Sequence, residues 1–228
     1  MKIGILQTGH LPDEMMAEMG DYSVMYEGML EGHGFTFQTW NVVDGEFPAG
    51  PHDADGWLVS GSKFGAYEDL PWIAPLEELI RSIQAARVPL VGICFGHQII
   101  AQALGGRVEK FEGGWSIGLV DYDFDGETLA LNAWHQDQIV EAPKGAQVIA
   151  STSFCKYAGL VYGDSIMTVQ PHPEFSPAAV SELIKTRGAN IEDKQLLETA
   201  TENLKKPTAN EAMAQKIADF FAKARTHE

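Results

Sequence analysis

The sequence lacks the features that mark secreted, membrane-spanning and disulfide-rich proteins. Its 228 residues include two cysteines, Cys94 and Cys155, which is too few for the disulfide framework of a small secreted protein. No apolar run approaches the roughly 18 residues of a membrane-spanning helix, and the N-terminus enters a strand without the layout of a signal peptide. These absences predict a cytoplasmic protein with no membrane partner, in which Cys155 is structural and lies in a strand-like stretch.

Positive charge is scarce as well. Lys and Arg number 16 against 32 Asp and Glu, which gives a formal net charge of −16. A chain this acidic repels a phosphate backbone, so we expect no nucleic-acid partner. The apolar content of 45% is ordinary, and a chain of this length can bury a full core. We expect one domain over 1–228, with a core over about 1–187 and a helical extension over about 188–228.

Strand and helix patterns alternate along the first hundred residues. Strands separated by helices indicate a parallel sheet covered on both faces, and in such a sheet the chemistry lies beyond the C-terminal ends of the strands. In the first predicted helix, the residues expected to face inward are Val24, Met25, Gly28 and Leu30. The predicted strands cover 3–7, 35–42, 56–59 and 90–93, and the predicted helices cover 22–31 and 73–86.

After residue 107 the pattern changes to short strand-like runs separated by turn signals. We expect an antiparallel section, one more buried strand and three closing helices. The predicted fold class is α/β, a flavodoxin-like or Rossmann-like three-layer sandwich with a mainly parallel central sheet, an appended small antiparallel sheet and C-terminal helices. The predicted segments are strands 117–122, 128–131, 147–150, 160–162 and 166–170, and helices 177–186, 191–205 and 210–225.

The most informative segment is a cysteine between two glycines, Gly92, Cys94 and Gly96, at the end of an apolar strand and the start of an apolar helix. Gly-x-Cys-x-Gly is the cysteine form of a nucleophile elbow, a turn so sharp that the residues two before and two after the nucleophile must be small. The helix N-terminus beneath the sulfur stabilises an anion and favours the thiolate. This segment predicts an enzyme with Cys94 as nucleophile.

A cysteine nucleophile needs a base and a group that orients the base. His172 follows the predicted strand 166–170, so it lies at the same sheet edge as Cys94, and the prolines beside it fix its backbone. The carboxylate of Glu174 can reach the outer imidazole nitrogen and hold the tautomer. Among the other histidines, His135 is the one rival to His172, and His97 is expected to pack within its helix.

Acyl transfer also needs an oxyanion hole. The backbone N–H of Phe95, at the helix N-terminus, is one predicted donor. The turn that follows the strand 56–59 supplies the other, and the amides of Gly61 and Ser62 both remain candidates. Because no Cys/His cluster has zinc-like spacing and this chemistry needs no cofactor, we expect neither a metal nor a cofactor.

The segments 92–98 and 171–174 together resemble the class I (triad) glutamine amidotransferases, and the resemblance spans nearly the whole chain. It implies that Cys94, His172 and Glu174 hydrolyse glutamine through a γ-glutamyl thioester. Other residues are implied to contact the substrate, whose α-amino and α-carboxylate groups would be held by backbone in 114–118. These substrate-binding residues are Gln98, Gly114, Trp115 and Ser116.

The chain departs from many members of that family in two ways. It has Gly61–Ser62–Lys63 where many relatives carry Gly-Gly-Pro, and it contains no phosphate-binding loop for ATP. It most resembles the stand-alone branch, which is similar to the glutaminase domain of GMP synthase and includes γ-glutamyl peptidase-like proteins. The segments 60–69, 71–73 and 134–138 carry this closer resemblance.

Three functions follow from these features. The first is a self-sufficient hydrolase of a γ-glutamyl amide bond, in glutamine or in a γ-glutamyl amine or peptide. The second is a glutaminase subunit that delivers ammonia to a separate synthetase partner. The third, a non-catalytic regulatory protein on the same fold, is disfavoured because Cys94, His172 and Glu174 are all present. The leaving amine and the oligomeric state stay open.

Overall fold

The computed structural model describes residues 1–225 as a nine-stranded sheet, a two-stranded sheet and seven helices. The strands are β1 (Lys2–Gln7), β2 (Thr36–Asn41), β3 (Gly56–Val59), β4 (Leu90–Ile93), β5 (Arg107–Lys110), β6 (Ser116–Phe124), β7 (Glu127–His135), β8 (Asp137–Glu141), β9 (Gln147–Ser151), β10 (Gly159–Tyr162) and β11 (Ile166–Val169). The helices are α1 (Asp13–Met19), α2 (Tyr22–Met29), α3 (Ile73–Ala85), α4 (Phe95–Ala103), α5 (Pro177–Arg187), α6 (Lys194–Asn203) and α7 (Asn210–Arg225). None of these helices combines the length and the apolar character that crossing a bilayer requires.

The large sheet has a parallel half and an antiparallel half. Its strand order is β2-β1-β3-β4-β11-β10-β9-β6-β7. The first five strands in this order pair in parallel, and the remaining four extend the same sheet in antiparallel fashion. Strands β5 and β8 form the small separate antiparallel sheet. The predicted three-layer α/β class is therefore confirmed, and β4 and β11 lie side by side at its centre.

Two hydrophobic clusters cover the two faces of the sheet. Side chains alternate between faces along a strand, so Leu58 of β3 belongs to one cluster while Trp57 and Val59 belong to the other. Helices α2, α5 and α7 pack on the Leu58 face, and α3 and α4 pack on the opposite face. Because both faces are covered, the central strands β3, β4 and β11 are buried along their whole length.

The inward face of α2 differs from the prediction. Val24 is 52% exposed and Gly28 is also exposed, whereas Tyr22 and Tyr26 are buried together with Leu30. Asp21 caps the helix by accepting a hydrogen bond from the backbone N–H of Tyr22, and this start brings every fourth residue from Tyr22 onto the core face. The prediction followed the aliphatic residues and overlooked the tyrosines.

Several other elements differ from the sequence-based expectation. Helix α1 and strands β5 and β8 were not predicted, because they are short and carry charged residues. Helix α6 begins at Lys194 rather than 191, since the Asp193 side chain accepts from the backbone N–H of Leu196 and caps it. Cys155 lies in the loop between β9 and β10, not in a strand, although it is buried.

Close packing between α4 and β3 holds the cysteine turn in place. The backbone N–H of Gly96 donates to the carbonyl of Ser60 at 3.1 Å. A Cβ at position 96 would overlap the carbonyl oxygen of Val59, and one at Gly92 would lie 2.6 Å from the carbonyl oxygen of Gly96. The two glycines therefore let the helix and the strand approach closely enough to form the turn.

We predict that Gly96→Ala lowers the free energy of unfolding by about 1–3 kcal/mol, because the backbone of β3 must move to accept the methyl group. Gly28→Ala is the matched control, since Gly28 is also helical and has open space around it. It is expected to raise stability by up to about 1 kcal/mol. Urea unfolding measures both, and equal effects would contradict this account of the turn.

Candidate active site

The backbone of Cys94 adopts a strained conformation between β4 and α4, with φ 54° and ψ −105°. A positive φ is uncommon outside glycine and often marks a functional site. Its N–H donates to the carbonyl of Val169 at 2.9 Å, and its carbonyl accepts from the N–H of Gln98 at 3.1 Å. The end of β11 and the first turn of α4 therefore fix the conformation, and the predicted elbow is present.

His172 and Glu174 form a buried pair just beyond the end of β11. The Nδ1 of His172 lies 2.7 Å from Oε1 of Glu174, and the two residues are 2% and 8% exposed. The His172 ring stacks on Phe175 with 4.0 Å between ring centroids, and its backbone N–H donates to the carbonyl of Asn132 in β7 at 2.8 Å. These contacts hold the imidazole in one orientation.

The electrostatic environment keeps His172 protonated. Burial by itself lowers the pKa of the imidazole, but its interactions with Cys94 and Glu174 outweigh this effect and raise the pKa to about 10. The ring therefore carries a proton at neutral pH and interacts with the side chain of Cys94. A cysteine beside a charged, carboxylate-oriented imidazole is an arrangement that can perform acyl transfer.

Tyr26 joins the carboxylate to the neighbouring strand end, a connection that sequence reasoning missed. Its hydroxyl donates to Oε1 of Glu174 at 3.0 Å and accepts from the backbone N–H of Gly61 at 3.1 Å. Burial, reinforced by Glu174, raises the pKa of Tyr26 well above its usual value, so the phenol keeps its proton. The position of Tyr22 and Tyr26 one helical turn apart, after an Asp cap, was the available sequence signal.

One predicted source of oxyanion donors, the turn after β3, lies close to this pair. Gly61 packs against the imidazole, since a Cβ there would lie 3.1 Å from Cε1 of His172. The N–H of Gly61 is already bound to Tyr26. Within residues 1–225, the N–H groups of Phe95 and Ser62 have no acceptor in hydrogen-bond range, and Phe95 is the first residue of α4, where a free N–H is expected.

A cavity of about 480 Å³ opens onto Cys94. Two of the predicted substrate-binding residues, Gln98 and Trp115, line this cavity. Ser116 lines a neighbouring groove together with Trp115, and Gly114 lines neither. The side-chain N–H groups of Gln98 donate to the Asp137 carbonyl and to Gln170. Gln98 therefore links α4 to β8, and its Nε2 already donates to two partners within the protein.

The other two histidines named above are neutral. Burial lowers the pKa of His97 to about 3 and that of His135 to about 4. Both ring nitrogens of His97 have partners, Thr168 and the carbonyl of Tyr157, so it packs inside the fold as expected. His135 donates from Nδ1 to the carbonyl of Asp137 at 3.1 Å, while its buried Nε2 has no partner among the described residues.

The chain is similar to known proteins in sequence and in fold. Residues 34–188 match the sequence model of the glutamine amidotransferase class-I family. The chain belongs to that family. It is 29% identical to gamma-glutamyl peptidase 4 of Arabidopsis thaliana, over 93% of this chain and 92% of that protein.

Two further relatives extend the comparison within the class I family. The chain is 33% identical to the glutamine-hydrolyzing GMP synthase subunit of Sulfolobus acidocaldarius, over 53% of this chain and 67% of that protein. The crystal structure of a glutamine amidotransferase from Methylobacillus flagellatus superposes with a TM-score of 0.79 at 25% identity, over 99% of this chain and 94% of that one. The similarity to the structure therefore covers the C-terminal helices as well as the sheet.

We predict that the free energy of unfolding falls as the pH rises from about 7 to about 8.5. The folded pKa of His172 is raised from 6.5 to about 10, so the folded protein holds a proton that the unfolded chain releases in this range. The stability that this proton confers is complete below pH 6.5 and is lost as the pH rises toward 10. Glu174→Gln removes one of the charges that raise this pKa, so its curve should be flatter.

Urea unfolding at several pH values in this range measures both slopes. His97 and His135 do not contribute to the slope near pH 8. Their pKa values are lowered in the folded protein, and an ordinary histidine pKa of about 6.5 leaves them neutral in the unfolded protein as well. Parallel curves for the wild-type protein and Glu174→Gln would contradict the coupling between His172 and Glu174.

Proposed function

We propose that this chain hydrolyses γ-glutamyl amide bonds through a γ-glutamyl thioester on Cys94. The observation that carries the proposal is that Cys94, at a strained turn in the lining of a cavity, interacts with a buried histidine that Glu174 orients. The substrate is glutamine, a γ-glutamyl amine or a γ-glutamyl peptide, and the products are glutamate and the free amine.

The chemistry proceeds in two steps. In the first, the sulfur of Cys94 attacks the γ-carbonyl carbon and His172 gives its proton to the leaving nitrogen, so the C–N bond breaks and a thioester remains. In the second, His172 takes a proton from the water molecule that attacks the thioester, the C–S bond breaks, and glutamate leaves. The Cys94–His172 pair then holds one proton again, as it did at the start, and no cofactor or metal is required.

The oxyanion of each tetrahedral intermediate would be held by the backbone N–H groups of Phe95 and Ser62. Both are without an acceptor in the described residues, whereas Gly61 already donates to Tyr26. Each such donor is typically worth about 3 kcal/mol of transition-state stabilisation. Of the two amides that the sequence left open, we therefore propose Ser62.

Glu174 and Tyr26 act through His172 in this proposal. Glu174 orients the imidazole and stabilises its positive charge. Tyr26 fixes one oxygen of that carboxylate and, through Gly61, the strand end that carries Ser62. Tyr26 is therefore a positioning residue that links the orientation of the base to the geometry of the oxyanion hole.

We further propose that the chain works as one domain in the cytoplasm. Helix α6 packs directly on β6, since a Cβ at Gly118 would lie 2.7 Å from the Cβ of Ala200, so the C-terminal extension is packed against the sheet. Cys94 and Cys155 are both free, which suits a reducing compartment.

A second candidate is a glutaminase subunit that delivers ammonia to a separate synthetase. The similarity to the GMP synthase subunit of Sulfolobus acidocaldarius favours it. The relative named as a gamma-glutamyl peptidase is matched over nearly its whole length, 92% against 67%, and this coverage favours the self-sufficient hydrolase.

The test is glutamate release by the purified chain from glutamine and from a panel of γ-glutamyl amines and peptides. We predict turnover by the chain alone, with a loss of about 10³-fold or more in Cys94→Ala. Cys155→Ala is the matched control, because Cys155 is equally buried but lies outside the cavity, and it should retain the wild-type rate.

If the wild-type chain released no glutamate from any of these compounds, the self-sufficient hydrolase would be rejected. Activity that emerges only after a synthetase from the same cell extract is added would support the ammonia-delivering role instead. A Cys94→Ala variant with near wild-type rates would reject both.

We predict that Tyr26→Phe lowers kcat about tenfold or more with little change in KM, because a buried hydrogen bond to the carboxylate of Glu174 is lost. Tyr162→Phe is the matched control. Tyr162 is also buried, and it pairs with Ile166 at the opposite end of β11 from His172. A purely structural role for Tyr26 would be indicated if both variants lost stability equally and neither changed kcat.

A further inference from the structure

The cavity at Cys94 concentrates positive charge in an acidic protein. Its lining includes three cations, Lys63, Lys110 and Arg187, and two acidic residues, Glu68 and Asp137, whereas the chain as a whole carries a net charge of −16. Cations outnumber acidic residues in this lining although the protein as a whole is acidic, and a locally positive site attracts a negative group. The ligand of this cavity is therefore expected to carry a negative group.

The three cations differ in what surrounds them. Lys110 lies close enough to Asp137 to lower the pKa of that carboxyl, against the larger opposing effect of burial. The ammonium of Lys63 lies over the ring of Phe64, 5.2 Å from its centroid. Arg187, which is half-buried, has no carboxylate in ion-pair range among residues 1–225.

Arg187 is exceptional among the arginines whose side chains the structure describes. The other three each pair with at least one carboxylate. These three arginines are Arg81, Arg87 and Arg107. A half-buried guanidinium without a carboxylate, in a chain with twice as many acidic as basic residues, has its bidentate donor edge free for a ligand.

Arg187 lines the same cavity as Cys94. Arg187 ends α5 at the rim of the cavity. Burial raises the pKa of Tyr22, the charge of Arg187 opposes that rise, and Cys94 adds to it. Arg187 and Cys94 therefore line the same cavity, and both interact electrostatically with Tyr22.

A second atom in the same cavity also lacks a partner. The Nε2 of His135 is buried and unbonded in the described residues, and His135 lines the cavity. Because Nδ1 donates to a carbonyl and the ring is neutral at pH 7, Nε2 is a bare acceptor. Buried polar atoms normally have partners, so the cavity offers a cation and an acceptor, which complement the carboxylate and the ammonium of an amino acid.

We propose that Arg187 binds a free carboxylate of the γ-glutamyl substrate and thereby selects amino acids and peptides whose carboxylate is unblocked. The proposal rests on the proposed function. The carboxylate belongs either to the glutamyl group or to the leaving amino acid, and the chemistry of the contact is the same. Arg187 is then a specificity-determining residue at the C-terminus of α5, in the lining of the cavity that contains Cys94.

The test is binding rather than turnover, measured by calorimetry in the Cys94→Ala background. The ligands are γ-glutamylglycine and its two monoamides, each of which blocks one carboxylate. Arg187→Gln should weaken binding of γ-glutamylglycine about 10- to 100-fold. The monoamide on which Arg187→Gln no longer has an effect identifies the carboxylate that Arg187 binds.

Lys185→Gln is the matched control, because it also removes a cation from the last turn of α5 but its side chain is exposed and pairs with Glu182. It should leave binding unchanged. Arg187→Lys, which keeps the charge but not the planar fork, should bind with intermediate affinity and covers the case in which Arg187→Gln fails to fold.

The proposal is overturned if Arg187→Gln binds γ-glutamylglycine as tightly as its parent, if its effect persists with both monoamides, or if the parent binds none of the three ligands. Failure of the hydrolase proposal is a separate result. Arg187-dependent binding with a catalytically silent wild-type chain would retain the carboxylate site, and turnover with Arg187-independent binding would reject only the role of Arg187.

Discussion

The direct turn from β4 into α4 at Cys94 is the constraint on which the rest of the site depends. Gly92 and Gly96 allow the helix to approach the sheet, and the resulting positive φ of Cys94 is held by hydrogen bonds from two neighbouring elements. The turn directs the sulfur to the C-terminal edge of the sheet and leaves the first N–H of α4 free. Because β11 pairs with β4 in parallel, residues just after β11 reach the same edge, and His172 lies there.

A buried hydrogen-bond network then fixes the groups around the sulfur. Oε1 of Glu174 accepts hydrogen bonds from Nδ1 of His172 and from the hydroxyl of Tyr26. The Tyr26 hydroxyl in turn accepts a hydrogen bond from the backbone N–H of Gly61. In a low-dielectric interior each of these bonds is stronger than it would be in water, whereas the second carboxylate oxygen of Glu174, Oε2, is buried without a partner among the described residues. The network therefore couples the orientation of the imidazole to the position of the strand end beside it.

Local patterns made much of the fold and part of the site predictable. The apolar runs of the central strands, the glycines around Cys94 and the spacing of His172 and Glu174 depend on neighbours in sequence, and the structure has the strands and the buried pair where they were expected. The prediction of which face of α2 is buried was wrong, because a tyrosine side chain combines an apolar ring with a polar hydroxyl and was not counted as a core residue. Tyr26 contacts Glu174 across 148 residues, and no local pattern encodes such a contact.

Arg187 was missed for a related reason. A basic residue near the end of a helix has an ordinary role in stabilising the helix dipole, and only the cavity and the absence of a carboxylate partner among the described residues distinguish it from Lys185. The distribution of charge around a cavity is a property of the folded chain, so composition alone gave the acidity of the protein without revealing which cations line the cavity.

Covalent labelling tests the central claim most directly, namely that Cys94 is the nucleophile that attacks a γ-glutamyl group. The folded chain is treated with an electrophilic ketone analogue of glutamine, digested and analysed by mass spectrometry. The account predicts a label on Cys94, none on Cys155, and protection by excess glutamine or a competing γ-glutamyl compound. Equal labelling of the two cysteines, or an unlabelled Cys94 in a folded protein, would contradict it.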